Sequence, residues 1–166
     1  MLVFVLSLSS AAKTVVEMKD AQGKSVGSIA LWESGTGPKG AGVGLELKLH
    51  DLPAGRHGIH VHQNAKCDGP DFKSAGPHFN PDAKKHGLQN PDGHHAGDMM
   101  NFRVSDGGKA KLRIINSDVR LGDGTDPHSL FANGGTAIVI HAKADDMKTD
   151  PAGNAGDRIA CGAITK

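Results

Sequence analysis

Met100-Asn101-Phe102-Arg103-Val104-Ser105-Asp106-Gly107-Gly108-Lys109-Ala110-Lys111-Leu112-Arg113-Ile114 reads as two short strands around a tight turn. Ser-Asp-Gly-Gly is a strong hairpin signal, because aspartate and glycine tolerate the positive φ that such turns demand. Beyond the turn Leu112 and Ile114 fall on one face, with Lys111 and Arg113 on the other, the period-two pattern of a strand with one side buried and one in water. The same pattern recurs on both sides. Lys13 to Lys19 and Ser28 to Trp32 flank the turn-like Asp20-Ala21-Gln22-Gly23, and Gly44 to Leu52 alternates Leu45, Leu47 and Leu49 with polar neighbours. Gly58 to Gln63, Thr136 to His141 and Arg158 to Ile164 bring the set to about eight strands, and no segment keeps a helical period. The expected fold is therefore all-β, an antiparallel sandwich or barrel.

Composition agrees. Glycine occurs 23 times in 166 residues, about twice the usual ~7%, which suits many tight turns and little helix. That length fits a single domain. The net charge of +1 argues against nucleic acid as a main partner. The longest apolar run, Met1 to Leu8, is under half of the roughly 18 to 20 residues a spanning helix needs, so no integral membrane segment is expected. Residues 1–12 resemble the apolar part and small-residue end of a secretory signal without its basic start, and are expected to be a signal-peptide remnant or an N-terminal extension ahead of a domain covering 13–166. The two cysteines, Cys67 and Cys161, lack CxxC spacing; one long-range disulfide is the reading favoured over two buried thiols, and it points to an oxidising compartment.

Two features call for chemistry. Residues 65–97 carry no sustained periodicity and contain Pro70, Pro77, Pro81 and Pro91; a structureless stretch of that length inside a domain needs a functional reason. There are also ten histidines, and histidine is the commonest metal ligand near neutral pH. His60 and His62 share one side of a strand, while His78, His86 and His95 lie in the aperiodic stretch with Asp98 three residues beyond the last. Three imidazoles and one carboxylate suit tetrahedral zinc, and an all-imidazole set that adds His141 to the pair suits copper. His94 abuts His95, and the spacing to Asp98 prefers the latter. His50, His57 and His128 are expected in surface or turn roles, Met99 and Met100 as core filler, and Trp32 as packing.

Gly58-Ile59-His60-Val61-His62, Gly76-Pro77-His78-Phe79-Asn80-Pro81, His95-Ala96-Gly97-Asp98, His141-Ala142-Lys143-Ala144-Asp145-Asp146 and Gly153-Asn154-Ala155-Gly156-Asp157-Arg158-Ile159-Ala160-Cys161-Gly162 together resemble the copper/zinc superoxide dismutases over residues 13 to 166. The resemblance implies an eight-stranded Greek-key β-sandwich or barrel, immunoglobulin-like, with two long functional loops. It implies an antioxidant enzyme that disproportionates superoxide, with one copper and one zinc ion per chain. Copper would be held by His60, His62, His78 and His141, and zinc by His78, His86, His95 and Asp98, so that His78 bridges the two and passes a proton to the product. Asp145 resembles the carboxylate that fixes a ligand of each metal, and Arg158 the arginine that guides the anionic substrate. Lys143 and Lys148 are expected to assist that guidance. The short run from His62 to Cys67, followed by an extended Asp68 to Ser74 segment, resembles the secreted bacterial branch, which implies a secreted, periplasmic or cell-surface location. The subunit contacts of the family's branches differ, so the assembly is left open between monomer and homodimer, with the dimer slightly preferred. The competing reading is a metal-binding member of the fold without activity; filled positions at all seven ligands and at Arg158 speak for the enzyme.

Overall fold

The computed structural model describes residues 13–35 and 41–166, so the reading of residues 1–12 as a signal remnant or extension lies outside the described residues. Among the described residues nine strands form: β1 (Thr14–Asp20), β2 (Ser25–Ser34), β3 (Gly42–Leu49), β4 (Gly55–His57), β5 (Ile59–His62), β6 (Phe102–Val104), β7 (Ala110–Asn116), β8 (Thr136–His141) and β9 (Arg158–Ile164). Seven make one antiparallel sheet in the order β5-β8-β9-β1-β2-β3-β7, and β4 pairs with β6. The extra strand has a simple origin. β4 and β5 are one extended run broken at Gly58, whose N–H donates to Lys143 O and whose carbonyl accepts from His141 N, so the chain leaves β6 and joins β8 at that residue. Counted as one, they restore the expected eight.

The quoted stretch folds differently from a simple hairpin. Its turn forms as read, with Ser105 N–H donating to Lys109 O and Gly108 N–H to Ser105 O. Its two arms then part, β6 pairing with β4 and β7 with β3, so the turn joins two sheet edges and curls the wall. The β1–β2 hairpin is as expected, closed by Asp20, whose Oδ1 accepts the N–H groups of Gln22 and Lys24.

Alternating residues fill the interior: Val16 and Met18, Ile29 and Leu31, Leu45 and Leu47, Ile59 and Val61, Phe102 and Val104, and Ile138 and Ile140 are all buried in one cluster. Each such side chain contributes about 1.5 to 3 kcal/mol through the apolar surface it removes from water. β5 and β8 are buried on both faces. Their inner face belongs to this core, while their outer face, carrying His60, His62, Ala137, Val139 and His141, is covered by long loops. That is why Thr136 to His141 reads as an almost unbroken apolar run. Phe72 and the Cys67–Cys161 disulfide seal a second, smaller cluster against Ala137 and Val139, and the half-cystine Cα atoms lie 5.6 Å apart. The disulfide reading therefore holds over that of two free thiols.

Candidate metal centre

The outer face of β5 and β8 brings three imidazoles together by strand geometry alone. His60 sits opposite Val139 and His62 opposite Ala137, and His141 follows on the same side of β8. The aperiodic loop then crosses this face as improvised strands. Phe79 N–H donates to Val61 O at 2.8 Å, Val61 N–H to Gly97 O at 2.9 Å and Gly97 N–H to Phe79 O at 2.9 Å, which seats His78 beside His62 and Asp98 beside His60. The approach is so close that a Cβ on Gly97 would fall 2.3 Å from Val61 O, so no larger residue fits.

Two sets of potential ligands result, all buried: His60, His62, His78 and His141, and His78, His86, His95 and Asp98, the ligand atoms of each set lying within 4.8 Å of one another. His78 belongs to both. In the second set, Asp98 Oδ1 lies 2.9 Å from His78 Nδ1, 3.1 Å from His86 Nδ1 and 3.4 Å from His95 Nδ1, and His95 Nδ1 is 3.4 Å from His78 Nδ1. Four atoms about 2.0 to 2.1 Å from a common centre, as in tetrahedral zinc, would have edges of about 3.3 Å, so these spacings fit.

Hydrogen bonds fix which nitrogen of each ring faces inward. His60 Nε2 donates to Asp145 Oδ2 at 2.7 Å, His62 Nδ1 to Gly76 O at 2.8 Å and His141 Nδ1 to Gly156 O at 3.3 Å. The opposite nitrogens, His60 Nδ1, His62 Nε2 and His141 Nε2, together with His78 Nε2, are buried without a hydrogen-bond partner. Buried polar atoms seldom go unpaired, and four lone pairs converging on one point suit a metal ion. His86 Nε2 reaches both oxygens of Asp145, at 3.1 and 3.0 Å, so this carboxylate ties one ring of each set. Burial holds His78 and His141 down at about 4. Burial pulls His86 the same way, but hydrogen bonds to Asp145 and Asp98 prevail and lift it to about 9. Burial likewise works against ionised Asp98, and the hydrogen bonds from His78, His86 and His95 overcome it, leaving Asp98 well below the usual carboxylate range.

Arg158 lies beside the first set at the end of β9. Its Nη1 donates to Phe72 O at 2.7 Å and its Nη2 to Gly76 O at 2.8 Å, the same carbonyl that accepts from His62. No ion pair to a carboxylate is found for it among the described residues, which sets aside a structural salt bridge with Asp157. An open pocket of about 490 Å³ is lined by Pro70, Asp71, Lys73, Gly156, Asp157 and Arg158. The Lys143 stem packs on Gly156, and Lys148 is exposed in the loop before β9.

The remaining histidines separate. His94 turns away from His95 and pairs with Asp118 at 3.0 Å, His128 pairs with Asp82 at 3.0 Å, and His50 stands exposed 3.5 Å from Asp51. His57 departs from the surface or turn role expected of it. It is buried, its Nδ1 2.8 Å from His141 O and its Nε2 2.9 Å from Pro53 O, bracing the backbone of a potential ligand. Met100 likewise is exposed rather than core filler, whereas Met99 is buried as read. Four further contributors carry no sequence signature. The carbonyls of Phe72 and Gly76 seat Arg158. Gly153 leaves room for Asp145, since its Cβ would fall 1.8 Å from Oδ1. Asp150 Oδ1 accepts the His86 N–H at 2.7 Å and lies 4.0 Å from His95 Nε2, gripping the second set from outside as Asp145 does from inside.

The copper/zinc superoxide dismutase family model matches residues 26–164. The chain is 44% identical over 162 residues to superoxide dismutase [Cu-Zn] 1 of Aquifex aeolicus, covering 97% of this chain and 92% of that one. It is 42% identical over 149 residues to superoxide dismutase [Cu-Zn] of Caulobacter vibrioides, covering 89% and 82%. The crystal structure of a SOD-like protein from Bacillus subtilis superposes with a TM-score of 0.84 at 37% identity, covering 92% of this chain and 99% of that one. Matched along nearly its whole length, and with two buried ligand sets sharing His78, the chain belongs to the copper/zinc superoxide dismutase family.

Proposed function

We propose that this chain is an antioxidant enzyme that converts two superoxide anions and two protons to oxygen and hydrogen peroxide, using one copper ion held by His60, His62, His78 and His141 and one zinc ion held by His78, His86, His95 and Asp98. The observation that carries this reading is the convergence of four unpartnered imidazole nitrogens in a buried site, each ring tied by its other nitrogen, that of His78 to Asp98. When bound, copper supplies one-electron exchange with superoxide, and zinc, which has no accessible redox change, supplies fixed charge and shape.

The protein's part is binding, proton handling and order. Arg158 offers a permanent cation whose guanidinium plane is fixed by two carbonyls, leaving its other N–H groups for a small anion in the pocket. Lys143, its stem on Gly156, adds positive charge near that mouth, and Lys148 is assigned the same task. His78 is the one ring shared by both sets, so its Nε2, whenever copper does not occupy that lone pair, would hold a proton and pass it to the peroxide product. Asp145 keeps His60 and His86 in the tautomers that leave Nδ1 free. The disulfide ties the loop carrying the Phe72 and Gly76 carbonyls to β9, and with the bacterial relatives it supports a periplasmic or secreted enzyme whose catalytic domain spans 13–166. Mass in solution decides between monomer and homodimer.

The test is disproportionation activity during titration of the zinc-loaded protein with copper. Activity should rise in proportion to copper and level off at one equivalent per chain. Full copper occupancy without activity would leave a metal-binding member of the fold and overturn the enzymatic reading.

A further inference from the structure

The outer wall formed by β4, β6, β7 and β3 carries an unusual charge arrangement. Arg56 stands directly opposite Arg103 in the β4–β6 ladder, and Lys48 directly opposite Lys111 in the β3–β7 ladder. All four are exposed while their neighbours Phe102, Val104, Ala110 and Leu49 are buried, so both pairs point outward from the same stretch of wall, on either side of the Ser105–Lys109 turn. Side chains directly opposite have Cβ atoms about 5 Å apart, and like charges there are destabilising. Exposed Lys109 adds a fifth cation at the turn. Among the described residues no ion pair is found for Arg56, Arg103, Lys109 or Lys111. The carboxylates nearby are Asp106 in the turn, Asp51 against the turn and engaged by Lys24 at 2.8 Å, Glu46, engaged by Arg113 at 3.1 Å and Lys48 at 3.7 Å, and Asp118, which pairs with His94 at 3.0 Å. By contrast Lys19, Lys24 and Lys73 each sit against an acid. With a net charge of only +1, this wall is basic by segregation and not by surplus.

Apolar side chains stand exposed beside the cations. Met100 is 58% exposed and Ile115 43%; with Leu88, Met99 and Ile114 they form the apolar part of a shallow groove of about 250 Å³ whose polar part includes His94, Asp98 and Asp118. Ile115 shares the outward face of β7 with Lys111 and Arg113. Cations spread over a gently curved sheet, with two apolar tips at their margin, match a surface of regularly spaced phosphates over hydrocarbon.

We propose that this wall docks the enzyme on an anionic phospholipid bilayer, Arg56, Arg103, Lys109 and Lys111 facing lipid phosphates and Met100 and Ile115 entering the headgroup boundary. None of these residues belongs to either ligand set or hydrogen-bonds to it, so docking and catalysis are separable. The metal-loaded protein is sedimented with phosphatidylcholine vesicles that contain or lack phosphatidylglycerol, at low and high salt. Binding should require phosphatidylglycerol and be lost at high salt. Arg103→Gln with Lys111→Gln should weaken it by about twenty-fivefold, roughly fivefold for each charge near the surface. Lys19→Gln with Lys66→Gln removes the same charge beside the disulfide and should change it by less than about twofold, given that screened charges act locally. Met100→Ser should weaken vesicle binding several-fold while leaving binding to soluble polyphosphate unchanged. Absence of vesicle binding, equal losses in the two double variants, or a Met100→Ser variant that binds vesicles as wild type does would each overturn the proposal, the last by reducing the wall to a site for any polyanion.

Discussion

Gly153→Ala is the substitution that most cleanly removes the action of Asp145 without touching Asp145. Gly153 has φ +62°, and a Cβ there would lie 1.8 Å from Asp145 Oδ1, 2.5 Å from its Cγ and 2.7 Å from His86 Nε2. Carbon and oxygen do not normally approach closer than about 3.3 Å, so the carboxylate must retreat by about 1.5 Å. Hydrogen bonds of 2.7 Å to His60 and 3.0 Å to His86 do not survive such a shift. Loss of an outer partner of metal-ligating histidines costs about 10- to 100-fold in metal affinity. A separate cost of about 1 to 2 kcal/mol comes from placing a side chain at positive φ. Gly23→Ala isolates that second cost, since Gly23 has φ +80° and nothing lies within 4 Å of its Cβ position. Affinities for zinc and copper are measured by chelator competition, and stability by thermal unfolding of metal-free protein. Both variants should lose stability, and only Gly153→Ala should lose metal affinity. A Gly153→Ala protein that binds both metals within twofold of wild type would refute the role given to Asp145.

Other expectations follow from the same geometry. Metal-free protein should be most stable near neutrality. Burial holds His78 and His141 at about 4, below their ordinary 6.5, so the unfolded chain binds more protons between those values and stability falls as pH drops, by up to about 1.4 kcal/mol per pH unit for each ring. His86, raised to about 9, stabilises fully below 6.5 and loses its contribution as pH rises toward 9; urea unfolding that is flat from pH 4 to 9 would contradict both signs. Replacing Cys67 and Cys161 by serine opens a loop with a sequence separation of 94 residues and should cost roughly 4 to 5 kcal/mol in chemical denaturation. At fixed metal content it should also reduce activity, because the carbonyls seating Arg158 lose their tether; unchanged activity would detach the disulfide from the site. Asp150→Ala should weaken zinc more than copper, whereas Asp150→Asn, still able to accept from His86 N–H, should recover most of the loss; equal losses of both metals would mean general loosening of the loop.

How far the sequence reached depended on whether a feature is local. Thr136 to His141 was legible as a strand because both its faces are buried, and the Ser105–Lys109 turn because its chemistry lies in its own residues. The partners of β6 and β7 were not, since strand pairing is decided by residues far away in the chain. Gly55 to His57 went unread between the strands read at Gly44 to Leu52 and Gly58 to Gln63, although it pairs fully with β6. At the site, the candidate ligand types and their spacing were legible because they are histidine and aspartate side chains, and the resemblance implied the roles proposed for them. The spacing to Asp98 singled out His95 over His94, and the structure groups His95 with Asp98 while His94 pairs with Asp118. Main-chain acceptors such as Phe72 O, Gly76 O and Gly156 O leave no mark in a sequence, and an exposed aspartate such as Asp150 resembles any other. His57 could not be told from a surface histidine, because its partners, Pro53 O and His141 O, are backbone atoms, one of them 84 residues away.

The central claim is that His78 serves two adjacent metal centres through its two ring nitrogens. It is tested most directly by electron paramagnetic resonance of protein carrying copper(II) in the His60, His62, His78 and His141 set and cobalt(II) in the other. A shared ring couples the two ions, so the copper signal seen with copper alone should disappear when cobalt fills the second set. A copper signal that persists unchanged with both sets filled would contradict the account.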